Sequence, residues 1–255
     1  MGIRERAKAA GGSHLHEAMA ILDEARTKSS SAIVFFSGGK DSLTVADMAS
    51  RVFDRLVLVF MYFVPGMSFC DEMLRAGGER FKAEVRQYPH WVLSDCLRKR
   101  IYCKVHWSAT GYTSIRPTEA EQELLNERQI PEIGLRDIYN LAKADTGIPV
   151  ILHGAKRCDS TWRRRNMQST EHWTDVYYPI ASWNKHDVLS YLSTRGIKPP
   201  ASESTKAAIN GVDLVEASLC WLHEQHPDDF KKLCEVFPYA PAAVWRRRWY
   251  GAEGS

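Results

Sequence analysis

Two continuous apolar runs, separated by a polar loop and an amphipathic stretch, restrict the folds open to this chain more than any other feature. The runs are AIVFF at residues 32–36 and LVLVFMYFV at residues 56–64, and the second stops at Pro65 and Gly66. Strands that are apolar on both faces are typical of a parallel sheet. Because parallel neighbours need a crossover, strand, helix and strand within about thirty residues predict a right-handed βαβ unit.

The rest of the chain repeats this alternation. Ser13 is expected to cap a first helix, and Ser68 is expected to open a helix that runs towards Val85. Gly147 should end another helix, and Asn184 should cap a late one. Further strands are predicted at residues 90–93, 148–154 and 175–183. Alternating strands and helices of this kind predict a doubly wound α/β domain whose ligand lies at the carboxyl ends of the strands.

Composition excludes several classes of protein. The 255 residues are 44% hydrophobic, which is enough for a full core. The net charge of +3 comes from nearly balanced acids and bases, so the whole molecule is not a polycation. The six cysteines form no C-x-x-C pair, which argues against a zinc ribbon or a disulfide framework. Since no apolar run approaches the roughly 20 residues of a bilayer span, we expect a soluble, cytoplasmic protein with no membrane partner.

The loop SGGKDS, residues 37–42, follows the first apolar run and precedes the first crossover helix. Its glycines let a phosphate approach the backbone, and the N–H groups and dipole of a helix N-terminus favour negative charge. Lys40 adds a positive charge, while Ser37 and Ser42 add hydroxyl donors. Asp41 stands where a Walker motif has Ser or Thr, and G-x-G-x-x-G is absent. The predicted ligand is a polyphosphate; the alternative is an ordinary tight connection.

Three stretches together resemble one family. SGGKDS is similar to the pyrophosphate loop of the PP-loop ATP pyrophosphatases. GAKRCDSTWRR (154–164) and YPIASWNKHDVLSYL (178–192) are similar to motifs of the phosphoadenosine phosphosulfate (PAPS) reductases. The resemblance implies an adenine nucleotide alpha hydrolase-like fold, with a doubly wound, mainly parallel five-stranded sheet and helices on both faces. It implies a nucleotide-binding domain over residues 1–200, and the polar helical pattern beyond it predicts a helical C-terminal extension over residues 201–255.

The resemblance also implies which residues form the site. In the loop, the phosphates would be held by Ser37, Gly38, Gly39, Lys40, Asp41 and Ser42. In the second motif, the nucleotide-binding residues would be Gly154, Lys156, Arg157, Asp159 and Arg163. The catalytic groups would be Lys40, Asp41, Arg157 and Arg164, with Asp41 as a Mg²⁺ ligand. Guanidinium forks suit phosphate and sulfate oxygens; the alternative is that these arginines only solvate a helix face, above all Arg165.

The sequence departs from the reductases in two places. YFVPG stands where they carry an acid-threonine-glycine motif, and the chain lacks their C-terminal Cys-Gly-Leu/Ile-His segment. The nearest imitation is CWLH at residues 220–223, which fits the apolar stripe of a helix, so Cys220 reads as a packing residue rather than a nucleophile. The cysteine pairs that hold a cluster in some relatives are missing, so no iron–sulfur cluster is expected.

Several other residues invite a functional interpretation and a structural alternative. WRRRWY at residues 245–250 interleaves aromatic rings with arginines, as in single-strand binding. The alternative is a terminal helix that packs its tryptophans against the body with the arginines outside. Trp162 and Trp183 are interpreted as packing residues rather than adenine platforms. Chance is the favoured explanation for three residues that suggest a metal site: Cys96, Cys103 and His106.

Three functions remain in competition. The favoured hypothesis is an enzyme that uses ATP and Mg²⁺, cleaves the α–β bond to AMP and pyrophosphate, and adenylates an acceptor in sulfur transfer or nucleic-acid modification. The second is a thioredoxin-dependent reductase of PAPS or adenosine phosphosulfate (APS), an oxidoreductase of sulfur metabolism. The third is a nucleotide-binding module that acts with a partner on DNA or RNA. Expected partners are the adenine nucleotide, a sulfur donor or ParB-like nucleic-acid-handling protein, and nucleic acid.

Overall fold

The computed structural model describes residues 3–94, 133–167, 175–198, 216–238 and 240–250. Its strands are β1 (Ser31–Phe35), β2 (Arg55–Tyr62), β3 (Glu84–Pro89), β4 (Ile151–His153) and β5 (Val176–Tyr177). Numbered over the described residues, the helices are α1 (Ile3–Lys28), α2 (Lys40–Ala49), α3 (Ser68–Phe81), α4 (Leu135–Thr146), α5 (Thr161–Asn166), α6 (Lys185–Thr194), α7 (Glu216–Gln225), α8 (Pro227–Val236) and α9 (Pro241–Tyr250). A 3₁₀ turn, Arg157–Asp159, precedes α5.

The strands form one parallel sheet in the order β3-β2-β1-β4-β5. In the register of the sheet, Ile33 on β1 lies opposite Val57 on β2 and Ile151 on β4. The chain builds outward from β1 to β3 and then returns to β4 on the other side of β1, so the strand order reverses between β1 and β4. Ligands of doubly wound folds bind at such a switch point. The predicted doubly wound α/β fold is confirmed.

Strand β1 explains why the sheet forms where the apolar pattern indicates. Ala32, Ile33 and Val34 are fully buried, and Phe35 is almost so. Burying each large apolar side chain contributes roughly 1.5–3 kcal/mol, so a strand apolar on both faces is stable only between two layers of helices. The apolar run therefore specifies both the strand and its central position in the sheet.

Five element predictions differ from the structure. The helix that opens at Ser68 ends at Phe81 instead of running towards Val85, and β4 has three residues within a predicted stretch of seven. The third strand is Glu84–Pro89, whereas residues 90–93 lie outside the strand. β5 has two residues, within a predicted stretch of nine. α1 begins at Ile3, so Ser13 lies inside the helix instead of capping it. The other caps are confirmed: Gly147, at φ +69°, follows the end of α4, and Asn184 Oδ1 accepts from the backbone N–H groups at the start of α6.

The chain divides into two compact units, each made of several segments. The first comprises residues 1–60, 73–87 and 139–203, and the second comprises residues 61–72, 88–138 and 204–255. The domain boundary expected after residue 200 stays a prediction. Within the first unit, buried Asp47 on α2 accepts hydrogen bonds from Tyr191 Oη at 2.7 Å and Arg195 Nε at 3.2 Å. These bonds fix α6 against α2, the helix that follows the SGGKDS loop.

Within the second unit, Asp229 on α8 caps the start of α3. Its carboxylate accepts from Ser68 N at 2.8 Å, Ser68 Oγ at 2.8 Å and Phe69 N at 3.1 Å, and the side chain is buried. Burial raises the pKa of this carboxyl, but the hydrogen bonds from Ser68 and Phe69 together lower it by more. The net pKa therefore lies below its ordinary value. Asp229 is therefore a structural carboxylate.

The tryptophans of helix α9 contradict one of the two alternatives for residues 245–250. Trp245 and Trp249 on α9 are 54% and 72% exposed, so the alternative in which α9 packs these tryptophans against the body is wrong. As for membranes, no helix in the described part of the chain is both long and apolar enough to span a bilayer.

Candidate functional site

The SGGKDS loop joins β1 to α2 through a turn that requires glycine. Gly38 has φ +73°, and a Cβ built there would lie 1.9 Å from Sδ of Met73 on α3. The left-handed backbone conformation therefore selects glycine, and an added Cβ would also require the flexible side chain of Met73 to move. Gly39 follows as the N-cap of α2, which begins at Lys40. The loop thus delivers a helix N-terminus to the carboxyl edge of the sheet, as its sequence predicts.

The two serines of the loop hydrogen-bond within it. Ser42 Oγ donates to the carbonyl of Gly39 at 2.9 Å and lies 3.2 Å from Ser37 N, which donates to it. The two hydroxyl oxygens of Ser37 and Ser42 are 3.3 Å apart. Because Ser42 is buried, its hydroxyl fixes the shape of the turn. The phosphate contact expected from this side chain stays a prediction.

Gly154 brings the second motif against the first turn of α2. The residue follows β4, whose His153 lies opposite Phe35 of β1 in the sheet register. A Cβ at Gly154 would lie 3.1 Å from the carbonyl carbon of Asp41 and 3.2 Å from the backbone N of Ser42. Only glycine allows this close approach of two backbones without displacement. The structure thus places the two motifs in contact, at the switch point between β1 and β4.

A series of ion pairs, here called the ion chain, connects the loop to the second motif. Lys156 Nζ lies 2.7 Å from Asp41 Oδ2 and 3.1 Å from Asp159 Oδ1, and its side chain is only 3% exposed. Arg163 then pairs with the other oxygen of Asp159 at 2.8 Å, and Lys40 Nζ lies 3.5 Å from Asp41. A lysine is almost never fully buried unless it is paired. Lys156 therefore bridges the two motifs by charge.

Asp159 is positioned by the local fold as well as by charge. Its carboxylate accepts from the backbone N of Lys156 at 3.1 Å, which closes the 3₁₀ turn, and Ser160 Oγ caps α5 by accepting from Arg163 N at 3.0 Å. Burial raises the pKa of Asp159, while the charge and hydrogen bonds of Lys156 and the charge of Arg163 lower it. The net pKa lies below the ordinary value, so the group is a carboxylate at neutral pH.

The other two expected arginines lie in the same segment but outside the ion chain. The side chains of Arg157 and Arg164 are exposed, and neither is ion-paired with a residue that the structure describes. The backbone of Arg157 is held by a bond from its N–H to the carbonyl of Ala181 at 2.9 Å, and that of Arg164 by its bond to Ser160 O at 3.0 Å. Two guanidinium groups are thus available to a ligand on a fixed backbone.

His153 is a site residue that the sequence analysis missed. Its ring stacks on Phe35, with centroids 5.9 Å apart, and its Nδ1 accepts from Ala155 N at 3.2 Å. Burial, with a contribution from the charge of Arg163, lowers the pKa of His153 to about 4. The ring is therefore neutral at pH 7 and fixes the turn that leads to Lys156. Its position directly after the apolar residues of the predicted strand at residues 148–154, and directly before Gly154, was the available signal.

Asp41 has the features of a ligand for a hard cation. Its Oδ1 is buried and accepts no hydrogen bond within the described residues, although Oδ2 pairs with Lys156. An unpartnered buried carboxylate oxygen at a loop that is expected to bind phosphates fits Mg²⁺, which typically takes one or two carboxylates together with substrate phosphates. Among the described residues, no group of three or more His, Cys, Asp or Glu side chains forms a metal site built by the protein alone.

Comparison with protein-family models decides the family. The model described as the phosphoadenosine phosphosulfate reductase domain matches residues 31–201. The chain belongs to this family. The match covers the SGGKDS loop, β4 with the second motif, and the segment that begins α6, so the family resemblance of all three motifs is confirmed. A search of curated proteins found no significant match.

Two solved structures that are similar to this family member have low sequence identity to it. One is the NH3-dependent NAD synthetase from Campylobacter jejuni in complex with nitrate, at 10% identity and a TM-score of 0.46, covering 96% of this chain and 97% of that one. Another is the PAPS reductase from Candida auris in a phosphate complex, at 12% identity and a TM-score of 0.42, covering 74% of this chain and 85% of that one.

The cysteines bear on the reductase chemistry that gives the family its name. Cys220 on α7 is 6% exposed. Burial raises the pKa of its thiol, against a lowering contribution from Arg247, so packing rather than reactivity is the role its surroundings support. Cys158 is exposed, and its Sγ lies 3.3 Å from the carbonyl of Trp183.

Trp162 and Trp183 were both predicted to be packing residues, and the structure describes the side chain of Trp183 only. Trp183 is 3% exposed and donates to the carbonyl of His14 at 3.2 Å, which confirms it as a packing residue. The side chain of Trp162 lies outside the described part of the structure, as do the residues weighed as a metal site: Cys96, Cys103 and His106.

Proposed function

We propose that this protein binds ATP across the β1–β4 switch point, cleaves its α–β bond and transfers the adenylyl group to an acceptor, with release of pyrophosphate. The observation that carries the proposal is the bridge that buried Lys156 forms between Asp41 of the loop and Asp159 of the second motif. This bridge joins the loop that is expected to bind phosphates to a segment that carries several guanidinium groups, and together the two supply positive charge for a chain of three phosphates.

The loop supplies the contacts for the β- and γ-phosphates. The N–H groups in the first turn of an α-helix lack intrahelical acceptors and carry the positive end of the dipole. Gly38 and Gly39 place no side chain over them, and Lys40 lies at the same helix start. These groups bind the part of the nucleotide that leaves as pyrophosphate, because they stabilise the charge that develops on it.

The second motif supplies the contacts for the α-phosphate. Arg163 is held by Asp159, whereas Arg157 and Arg164 are exposed and available. Guanidinium groups bind phosphate oxygens bidentately, and each charged hydrogen bond contributes about 1.5–3 kcal/mol. With arginines on this side and a lysine on the loop side, the α–β bond of a bound ATP would lie between the two motifs, which supports attack at the α-phosphorus.

The reaction balances as a displacement at the α-phosphorus. A nucleophilic atom of the acceptor forms a bond to the α-phosphorus, and the bond from that phosphorus to the α–β bridging oxygen breaks. The electron pair of the broken bond leaves with pyrophosphate, and the proton of the acceptor passes to water. Mg²⁺, held by Asp41, would supply neutralisation of the charge on the phosphate oxygens. Arg157 and Arg164 stabilise the negative charge that builds at the α-phosphate.

The experiment that tests this function is detection of AMP and pyrophosphate from radiolabelled ATP by chromatography. The protein is incubated with Mg²⁺ and, separately, with sulfate, bulk tRNA or oligonucleotides as acceptors. Lys40→Ala should abolish the products, whereas Lys143→Ala should not, because Lys143 pairs with Asp175 at 3.0 Å instead of with the loop. Formation of ADP and phosphate, or ATP binding with no AMP from any acceptor, would overturn the proposal.

A further inference from the structure

Helix α9 presents two tryptophan rings to solvent on one side. Ala243 on its other side is buried, and α9 packs there against α7 within the second unit. Trp245 and Trp249 are four residues apart, which places them on one face of the helix, and both are more than half exposed. Because Ala243 is buried, α9 is packed against its neighbour. The two rings are exposed because they lie on the opposite face of the helix.

The same helix concentrates positive charge beside these rings. Arg246, Arg247 and Arg248 are consecutive, and α9 contains no acidic residue. Arg246 pairs with Glu216 of α7, its Nε lying 2.8 Å from Oε2, which anchors the helix. Arg247 and Arg248 are exposed and form no ion pair with a residue that the structure describes.

Arg248 lies next to the ring of Trp245 by helix geometry. It follows Trp245 by three residues and precedes Trp249 by one, so its position falls on the flank of the same face. We call Trp245, Arg248 and Trp249 the Trp–Arg face. The rise between its two rings along the helix is about 6 Å, which exceeds the about 3.4 Å spacing of stacked bases. Each ring can therefore take a base of its own.

We propose that the Trp–Arg face binds single-stranded nucleic acid, with bases stacked on Trp245 and Trp249 and a phosphate paired with Arg248. Aromatic rings beside cations provide both contacts that an unpaired strand offers, a π-face and a phosphate. A duplex hides its base faces and would use the arginines alone. The inference rests on α9 and is independent of the proposed ATP site, so each can fail without the other.

The test is binding of a fluorescein-labelled oligo(dT) of about 20 nucleotides to the full chain, measured by anisotropy without ATP over a salt series. Each of Trp245→Ala and Trp249→Ala should weaken binding at least about fivefold. The double change to phenylalanine, which keeps aromatic faces, should retain most of the affinity. Arg248→Ala should lower the salt slope by about 0.7. Lys231→Ala removes an exposed charge of α8 that is paired with Asp228, and it should leave affinity almost unchanged.

The outcomes that would overturn the inference are distinct. They are equal binding by the double alanine variant, tighter binding of a duplex of the same length, or no binding by the unmodified chain at about 50 mM salt. If sedimentation showed self-association that the double alanine variant loses, the face would be a protein interface and the inference would be wrong. Arg248→Ala leaves both rings in place, so its salt slope tests the inference even if a tryptophan change unfolds the chain.

Discussion

Replacing Lys156 by methionine removes the charge that joins the two motifs while keeping most of the side-chain volume. Its Nζ lies 2.7 Å from Asp41 and 3.1 Å from Asp159. At an effective dielectric constant near 20, such distances correspond to about 6 and about 5 kcal/mol of attraction, against a desolvation cost of several kcal/mol. Removal of one partner from a buried pair typically costs about 3–5 kcal/mol.

The two carboxylates are 25% and 27% exposed, so water screens part of the loss. We therefore expect Lys156→Met to lower the free energy of unfolding by about 2–4 kcal/mol. Urea unfolding should show this as a lower midpoint with an unchanged slope. The matched control is Lys143→Met, which breaks a more exposed pair with Asp175 and should cost at most about 1 kcal/mol.

A double-mutant cycle separates the bridge from simple packing. Asp159→Asn should cost less in the Lys156→Met background than in the unmodified protein, with a coupling above about 1 kcal/mol. Because the pKa of Asp159 is lowered, its contribution is present at neutral pH and is lost as the pH falls through that lowered value. If Lys156→Met costs no more than Lys143→Met, or if the cycle is additive, the bridge does not hold the site together.

Three further predictions concern Gly154, His153 and Cys220. Gly154→Ala should force the backbone at Asp41 to move by a few tenths of an ångström, weakening ATP binding in calorimetry about tenfold at a stability cost of about 1–3 kcal/mol. The matched change Gly134→Ala, whose Cβ would meet only an ordinary contact at 3.4 Å, should leave binding intact; equal effects of the two changes would contradict the prediction. The pKa of His153 is lowered from 6.5 to about 4, so the unfolded chain takes up this proton first, and lowering the pH from 6.5 to 4 should reduce the free energy of unfolding by roughly 3 kcal/mol. His153→Asn keeps an acceptor but does not titrate, so urea titrations of this variant should show a shallower decline, and an identical pH profile would refute the assignment. Cys220→Ser should leave AMP and pyrophosphate formation within about twofold, because the thiol is buried away from any reactive role; thioredoxin-dependent sulfite release that this change abolishes would instead support the reductase alternative.

The structure shows why some elements could be read from the sequence and others could not. β1 and β2 are buried on both faces, so their apolar runs mark them directly. β3 has an exposed, polar pattern, EVRQYP, which contains no apolar run, and the more apolar residues 90–93 predict the strand in the wrong place. A strand defined by backbone pairing with one neighbour needs little apolar surface of its own.

The candidate site also has features that could be predicted from the sequence and features that could not. The SGGKDS turn, its helix and the basic second motif were predictable, because glycine conformations, helix ends and charge are local properties of the chain. The pairing of Lys156 with Asp41 was not, since Asp41 is far away in sequence and becomes a neighbour only when β4 is inserted beside β1. The exposure of Trp245 and Trp249 was equally hidden, because a sequence gives the spacing of residues on a helix but not which face the helix turns to its neighbours. The sequence by itself determined the βαβ architecture and the chemistry of each loop; only the tertiary structure, through strand order and helix docking, decided which of those charges meet and which rings remain in water.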